Sequence, residues 1–204
     1  MIFFTKLGIL LIGFVYAGLM PYTIRKAIGH LRFDLKRHTL SFLSNTELYG
    51  EIYRKAYKRM LFITAILTYI FFWLMTWFYN LGAYEKLMRN IDICFASITL
   101  LAFLPHNLRP VSLKSLAPSL QRILHNLLAV VVFIALPLLI ISFQVTLMPY
   151  ARFAGLSGLV VILVVLVLTL ISLFKQGING ATELVLINGI SIWTIYITFL
   201  TMLH

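Results

Sequence analysis

Two histidines, His106 and His125, stand at the ends of "HNLRPVSLKSLAPSLQRILHN", a polar and basic stretch between two strongly apolar runs. An imidazole can bond backbone or a lipid headgroup, carry a proton, or ligate a metal. Three chemistries are therefore open: separate interfacial histidines, a paired proton or metal/haem site, and an acid–base site acting on a headgroup. Asp92, in "IDICFASITLLAFL", is the third ionisable candidate. It precedes His106 by 14 residues, about 21 Å of helix, so the two cannot form one acid–base pair. As a helix-start carboxylate Asp92 would complement the N-terminal dipole, and Arg89 one turn earlier could pair with it. No HxxxH spacing supports haem. Zinc would want further His, Cys or carboxylate ligands, so no metal site is expected, and no cofactor can be assigned. Cys94 is the single cysteine, which excludes an intrachain disulfide and a cysteine cage.

A second constellation lies in "ELYGEIYRKAYKRM", where Tyr49, Tyr53 and Tyr57 fall at i, i+4 and i+8 with Arg54, Lys55, Lys58 and Arg59 beside them. On a continuous helix the three rings share one face. Aromatic rings favour the membrane interface and long basic side chains snorkel to it, so this segment is expected to anchor at the headgroup layer or to bind anionic lipid or a protein partner there.

These residues need a scaffold, and composition dictates its kind. Of 204 residues, 61% are hydrophobic and 11% charged, too apolar for a water-soluble fold of this size. Continuous runs such as "GLVVILVVLVLTLISLF" argue against the alternating strands of an outer-membrane barrel. The expectation is an all-α polytopic transmembrane bundle forming one domain over 1–204. On a criterion of about 20 apolar residues per span, six spans are predicted, near 2–23, 60–81, 91–105, 119–144, 154–174 and 184–203. The third is the shortest, and a five-span chain with a re-entrant third segment is the alternative. Connections at 24–59, partly helical, and at 106–122 carry most of the charge.

Placing the 17 Lys and Arg in this scheme puts 13 on one side and leaves Lys6, Lys86, Arg89 and Arg152 on the other. The positive-inside rule then predicts a multi-pass inner-membrane protein with both termini non-cytoplasmic and 24–59 and 106–122 cytoplasmic. The net charge of +11 is read as a topology signal, so no nucleic-acid partner is expected. Membrane lipids, a membrane-protein partner or a second copy are the expected contacts.

Within the spans, Pro118 suits the first turn of span four, and Pro137 would kink its interior beside a possible lipid or quinone pocket. Gly155 and Gly158 permit close helix approach, while Gln144, Asn188, Ser191 and Thr194 read as interhelical glue. These four are also the few polar groups a transporter or channel could use. In "KQGINGATE", Asn179-Gly180 signals a turn and Thr182 or Glu183 a helix cap. There is no P-loop, dinucleotide fingerprint, HExxH, GxSxG or CxxC.

"FLPHNLRP" and "RILHNLLAVVVFIALPL" resemble the loop and His-led fourth helix of a six-span bacterial group, domain-of-unknown-function 998, related to the DRAM/Frag/Sfk membrane proteins. The resemblance covers about residues 60–145. It implies six helices and a loose association with lipid organisation or membrane signalling, and no catalytic residue. The leading expectation is thus a non-enzymatic protein binding lipid or a partner through its basic face. A redox or haem subunit or lipid-modifying enzyme using His106 and His125 is the alternative, ahead of a small transporter.

Overall fold

The computed structural model describes residues 2–31, 33–104, 106 and 116–204. Pro105, at the end of the third predicted span, and Arg109, Leu113 and Lys114 of the second connection lie outside the described residues. Six α-helices follow in order: α1 Ile2–His30, α2 Thr46–Phe78, α3 Glu85–Phe103, α4 Leu116–Leu147, α5 Arg152–Gln176 and α6 Gly180–Leu203, with a 3₁₀ turn at Leu40–Ser44. Among the described residues there is no strand. All but α3 are long and apolar enough to cross a bilayer, which makes this a multi-pass membrane protein. The 19-residue α3 carries Glu85, Lys86, Arg89 and Asp92, and those charges set it apart from the other five.

The helices outrun the apolar runs from which spans are read. α1 continues to His30 and α2 begins at Thr46, so much of 24–59 is helix and the true connection is 31–45. Once a helix is nucleated, extending it through polar residues adds one backbone bond per residue, so composition alone does not stop it. Likewise α4 starts at Leu116, with Pro118 in its first turn, which shortens the 106–122 connection.

Each helix packs on the next in sequence, and α6 packs on α1, so the six form a closed ring. Glycines tighten three of its seams. A Cβ on Gly13 of α1 would run into Thr198 of α6, one on Gly189 of α6 into Val165 of α5, and one on Gly158 of α5 into the Gln144 amide of α4. Without a hydrophobic drive between helices in lipid, such close approach supplies the packing attraction that associates them. Inside the ring Trp193 stacks on Phe72 with centroids 5.8 Å apart, and Phe71 and Phe143 meet it edge-on. Gln144 is fully buried. With its amide oxygen turned to accept from Trp193 Nε1 (2.9 Å), its nitrogen donates to the carbonyls of Ala154 (3.1 Å) and Gly155 (3.2 Å), tying α4, α5 and α6 together.

The end of the ring bearing residues 31–59 is the basic end. There the segment 33–45 crosses as a strap, burying Phe33, Leu40 and Leu43 in an apolar cluster with Ile24, Met60 and Leu61. The first backbone N–H groups of a helix have no partner within it. In α6 the strap supplies partners: Gly180 N–H donates to His38 O (2.8 Å) and Ala181 N–H to Leu35 O (3.1 Å). Asn179 caps the helix by accepting from Thr182 N–H (3.0 Å), a role expected of Thr182 or Glu183.

Candidate functional site

Glu183, freed from capping, reaches the strap and accepts the Leu40 N–H at 2.6 Å. The strap's other end holds His106, whose backbone N–H donates to Ser44 Oγ (2.9 Å) and whose carbonyl accepts from Asn45 Nδ2 (3.4 Å). Asn45 Oδ1 in turn accepts from Leu48 N–H and so caps α2.

His106 and His125 do meet. Their rings are 5.1 Å apart, edge to face, and both are buried. His125 Nδ1–H donates to Leu104 O at 2.5 Å, which fixes the neutral tautomer with the proton on Nδ1 and pins α4 to the end of α3. His125 Nε2 and His106 Nδ1 are buried with no protein partner. Beyond His106 the stack continues to Phe42 (4.7 Å) and then to His38 (4.6 Å). Edge-to-face contact leaves no slot for a porphyrin between the two rings. Among the described residues no three His, Cys, Asp or Glu gather as a metal site. The pair reads geometrically as a joint between α3, α4 and the strap.

Burial, with a smaller push from His125 and then Arg122, holds His106 down at about 4. The unfolded ring, near 6.5, takes a proton that the folded one refuses. Stability from this residue is therefore complete above about pH 6.5 and is lost as pH falls toward 4. The loss is up to about 3 kcal/mol, and about 2 kcal/mol once partial solvent access is allowed for. Thermal unfolding in detergent between pH 7.5 and 4.5 should show this decline, and His106→Gln should flatten it. An equally steep decline in the variant would assign the slope elsewhere.

Asp92 is not a helix-start residue, because α3 begins seven residues earlier at Glu85. It is exposed, and Arg89 does not pair with it, the described ion pairs being Arg37–Asp34 and Arg54–Glu51.

The Tyr/basic face is divided. Gly50 has φ +83, a left-handed conformation that breaks the helix between Tyr49 and Tyr53. Tyr49 instead packs on Phe33, with centroids 5.9 Å apart. Tyr57 turns inward. Arg54, Lys55 and Lys58 line a cleft of about 210 Å³ with Ser44, Tyr57 and residues 101–104. In it Arg54 is held by Glu51 (2.8 Å), and Lys58 Nζ lies 4.2 Å over the Phe103 ring. Lys55 is exposed. Tyr53 and Arg59 do not line this cleft.

Inside the ring a second cavity is walled by α1, α2, α4 and α6, with Leu101 from α3, and roofed by Leu40 and Ser41 of the strap. It holds about 120 Å³ and opens through a wide mouth, with about 890 Å³ of empty space once that mouth is counted. Its walls are mainly apolar, including Leu136, the residue before Pro137, with Tyr57 and Glu183 among its few polar groups. Of the four polar span residues, Ser191 and Thr194 reach it, their hydroxyls donating to Ile187 O and Ile190 O. Gln144 lies in the packed core and Asn188 is exposed.

Sequence reading missed the strap, His38 and Glu183's cavity role. The available signal was Glu183 itself, an acid at the edge of "ATELVLING" at the same end as most of the chain's cations. No family model, curated protein or solved structure matches the chain.

Proposed function

We propose that this is a non-enzymatic inner-membrane protein that binds anionic lipid at its basic end. The carrying observation is the cleft in which Arg54, Lys55 and Lys58 converge beside Ser44 and the end of α3. Cations in such a cleft attract phosphate headgroups, each contributing about 1 kcal/mol near a charged surface. In this reading α3 is a sixth span and the basic end is cytoplasmic, with both termini outside. The 13-to-4 partition of Lys and Arg supports that orientation.

Binding of a fluorescent phosphatidylglycerol to detergent-solubilised protein tests the proposal. Lys55→Glu with Lys58→Glu is expected to weaken it about 30-fold, two cations at about 1 kcal/mol each. Unchanged affinity in the folded double variant sinks the reading.

A lipid-modifying reading has one observation in its favour, the two unpartnered buried nitrogens, His106 Nδ1 and His125 Nε2. The two histidines bond Ser44 and Leu104, which line the cleft. Mass spectrometry of the lipid recovered from the same assay separates the readings. Unaltered phosphatidylglycerol supports binding alone.

A further inference from the structure

We infer that the lipid is held by a chain as well as by its headgroup: the ligand is a phosphate-headed amphiphile with one alkyl chain drawn out of the bilayer into the ring. This rests on the headgroup reading above and adds where the chain goes.

Four observations carry it. The basic cleft and the inner cavity share two walls, Tyr57 and Leu101, so a molecule bound in one lies against the lining of the other. The cavity's lining on α6 runs from Glu183 to Thr194, about 16 Å of helix. That matches one leaflet, half of a hydrocarbon layer about 30 Å thick. Its walls suit an alkyl chain, with Ile24, Leu61, Val132, Leu136, Leu186 and Ile190 among them.

The fourth observation is polar. Thr64 lines the cavity at 2% exposure, and its hydroxyl has no protein partner. A buried donor left unpaired is costly, and an ester carbonyl entering below a headgroup would satisfy it. Glu183 and Tyr57 stand at the same basic end of the cavity, where a glycerol hydroxyl would meet them. A chain already in lipid gains little hydrophobic energy by moving, so the attraction is the filling of unoccupied space and the pairing of that hydroxyl.

The probe is lysophosphatidic acid with a photoreactive diazirine at the end of its chain, and the chainless counterpart is glycerol 3-phosphate. With detergent-solubilised full-length protein, adducts are expected on cavity residues of α4 and α6 such as Leu136 and Ile190. Glycerol 3-phosphate should compete only at more than 100-fold higher concentration. Ala129→Trp, which fills the cavity from α4, should weaken lysophosphatidic acid binding at least 10-fold. Val132→Trp serves if the first variant fails to melt cooperatively.

Adducts confined to outward residues such as Ile134 and Leu138 would overturn the inference, as would equal affinity for glycerol 3-phosphate, the mark of a free-anion site. Lys55→Glu with Lys58→Glu keeps the two readings apart. If that pair abolishes binding and the cavity-filling variants do not, the headgroup reading stands and the chain inference fails. If neither acts, both fail.

Discussion

Replacing Gly158 with leucine is expected to destabilise the bundle by about 3–5 kcal/mol. Overpacking a close-packed site typically costs about 1–3 kcal/mol. Here even a Cβ meets the Gln144 amide, so the side chain must displace a group that ties α4, α5 and α6 together. Losing that group's bonds leaves Trp193 Nε1–H unpaired in the core, a further cost of about 1–3 kcal/mol. Gly18→Ala in α1 is the control, because nothing lies within 4 Å of the added Cβ. Replacing glycine in an unstrained helix is expected to leave stability level or raise it by up to about 1 kcal/mol. Thermal unfolding in one detergent reads both, and a Gly158→Leu protein as stable as Gly18→Ala would discredit the seam.

The second large effect concerns the strap. Glu183→Leu removes the acceptor of the Leu40 N–H, stranding a partly buried donor at about 1–3 kcal/mol. Leu40 roofs the cavity and Asn179 and Gly180 hold the strap on the same side, so the loss should open the strap locally before the ring. Hydrogen exchange at the Leu40 amide is expected to accelerate about 10-fold or more, one decade per 1.4 kcal/mol. Glu183→Gln keeps an oxygen in the same place and should retain the protection. Equal acceleration in both variants would show that the bond is not what holds the roof.

Helix existence was legible wherever apolar runs approached 20 residues, as in α5 and α6, because lipid forces internal backbone pairing on any apolar segment. The ends were not legible. Lys26 and Arg54 sit inside helices that the apolar criterion stops short of, since hydropathy reports lipid contact and not backbone pairing. The tyrosine stripe failed for a local reason: periodicity assumes an unbroken helix, and Gly50 breaks it. His106 and His125 were readable as the two ends of one polar stretch, but not as a contact, because His106 is seated by Ser44 and Asn45 of the strap. The strap, 33–45, has no periodicity of its own and is positioned by partners more than 60 residues away.

The ring closes between its first helix and its last, along the seam where Gly13 meets Thr198 and Lys6 Nζ donates to Met202 O at 3.3 Å. That seam joins residues 196 positions apart in the chain, so it forms only after α6 has been made. Until α6 emerges from the ribosome, the cavity lacks the wall from Glu183 to Thr194, and the strap lacks the helix start that receives its carbonyls. Without α6, helices α1–α5 leave that side of the cavity unwalled, so the docking of α6 on α1 and α5 is the step that closes it.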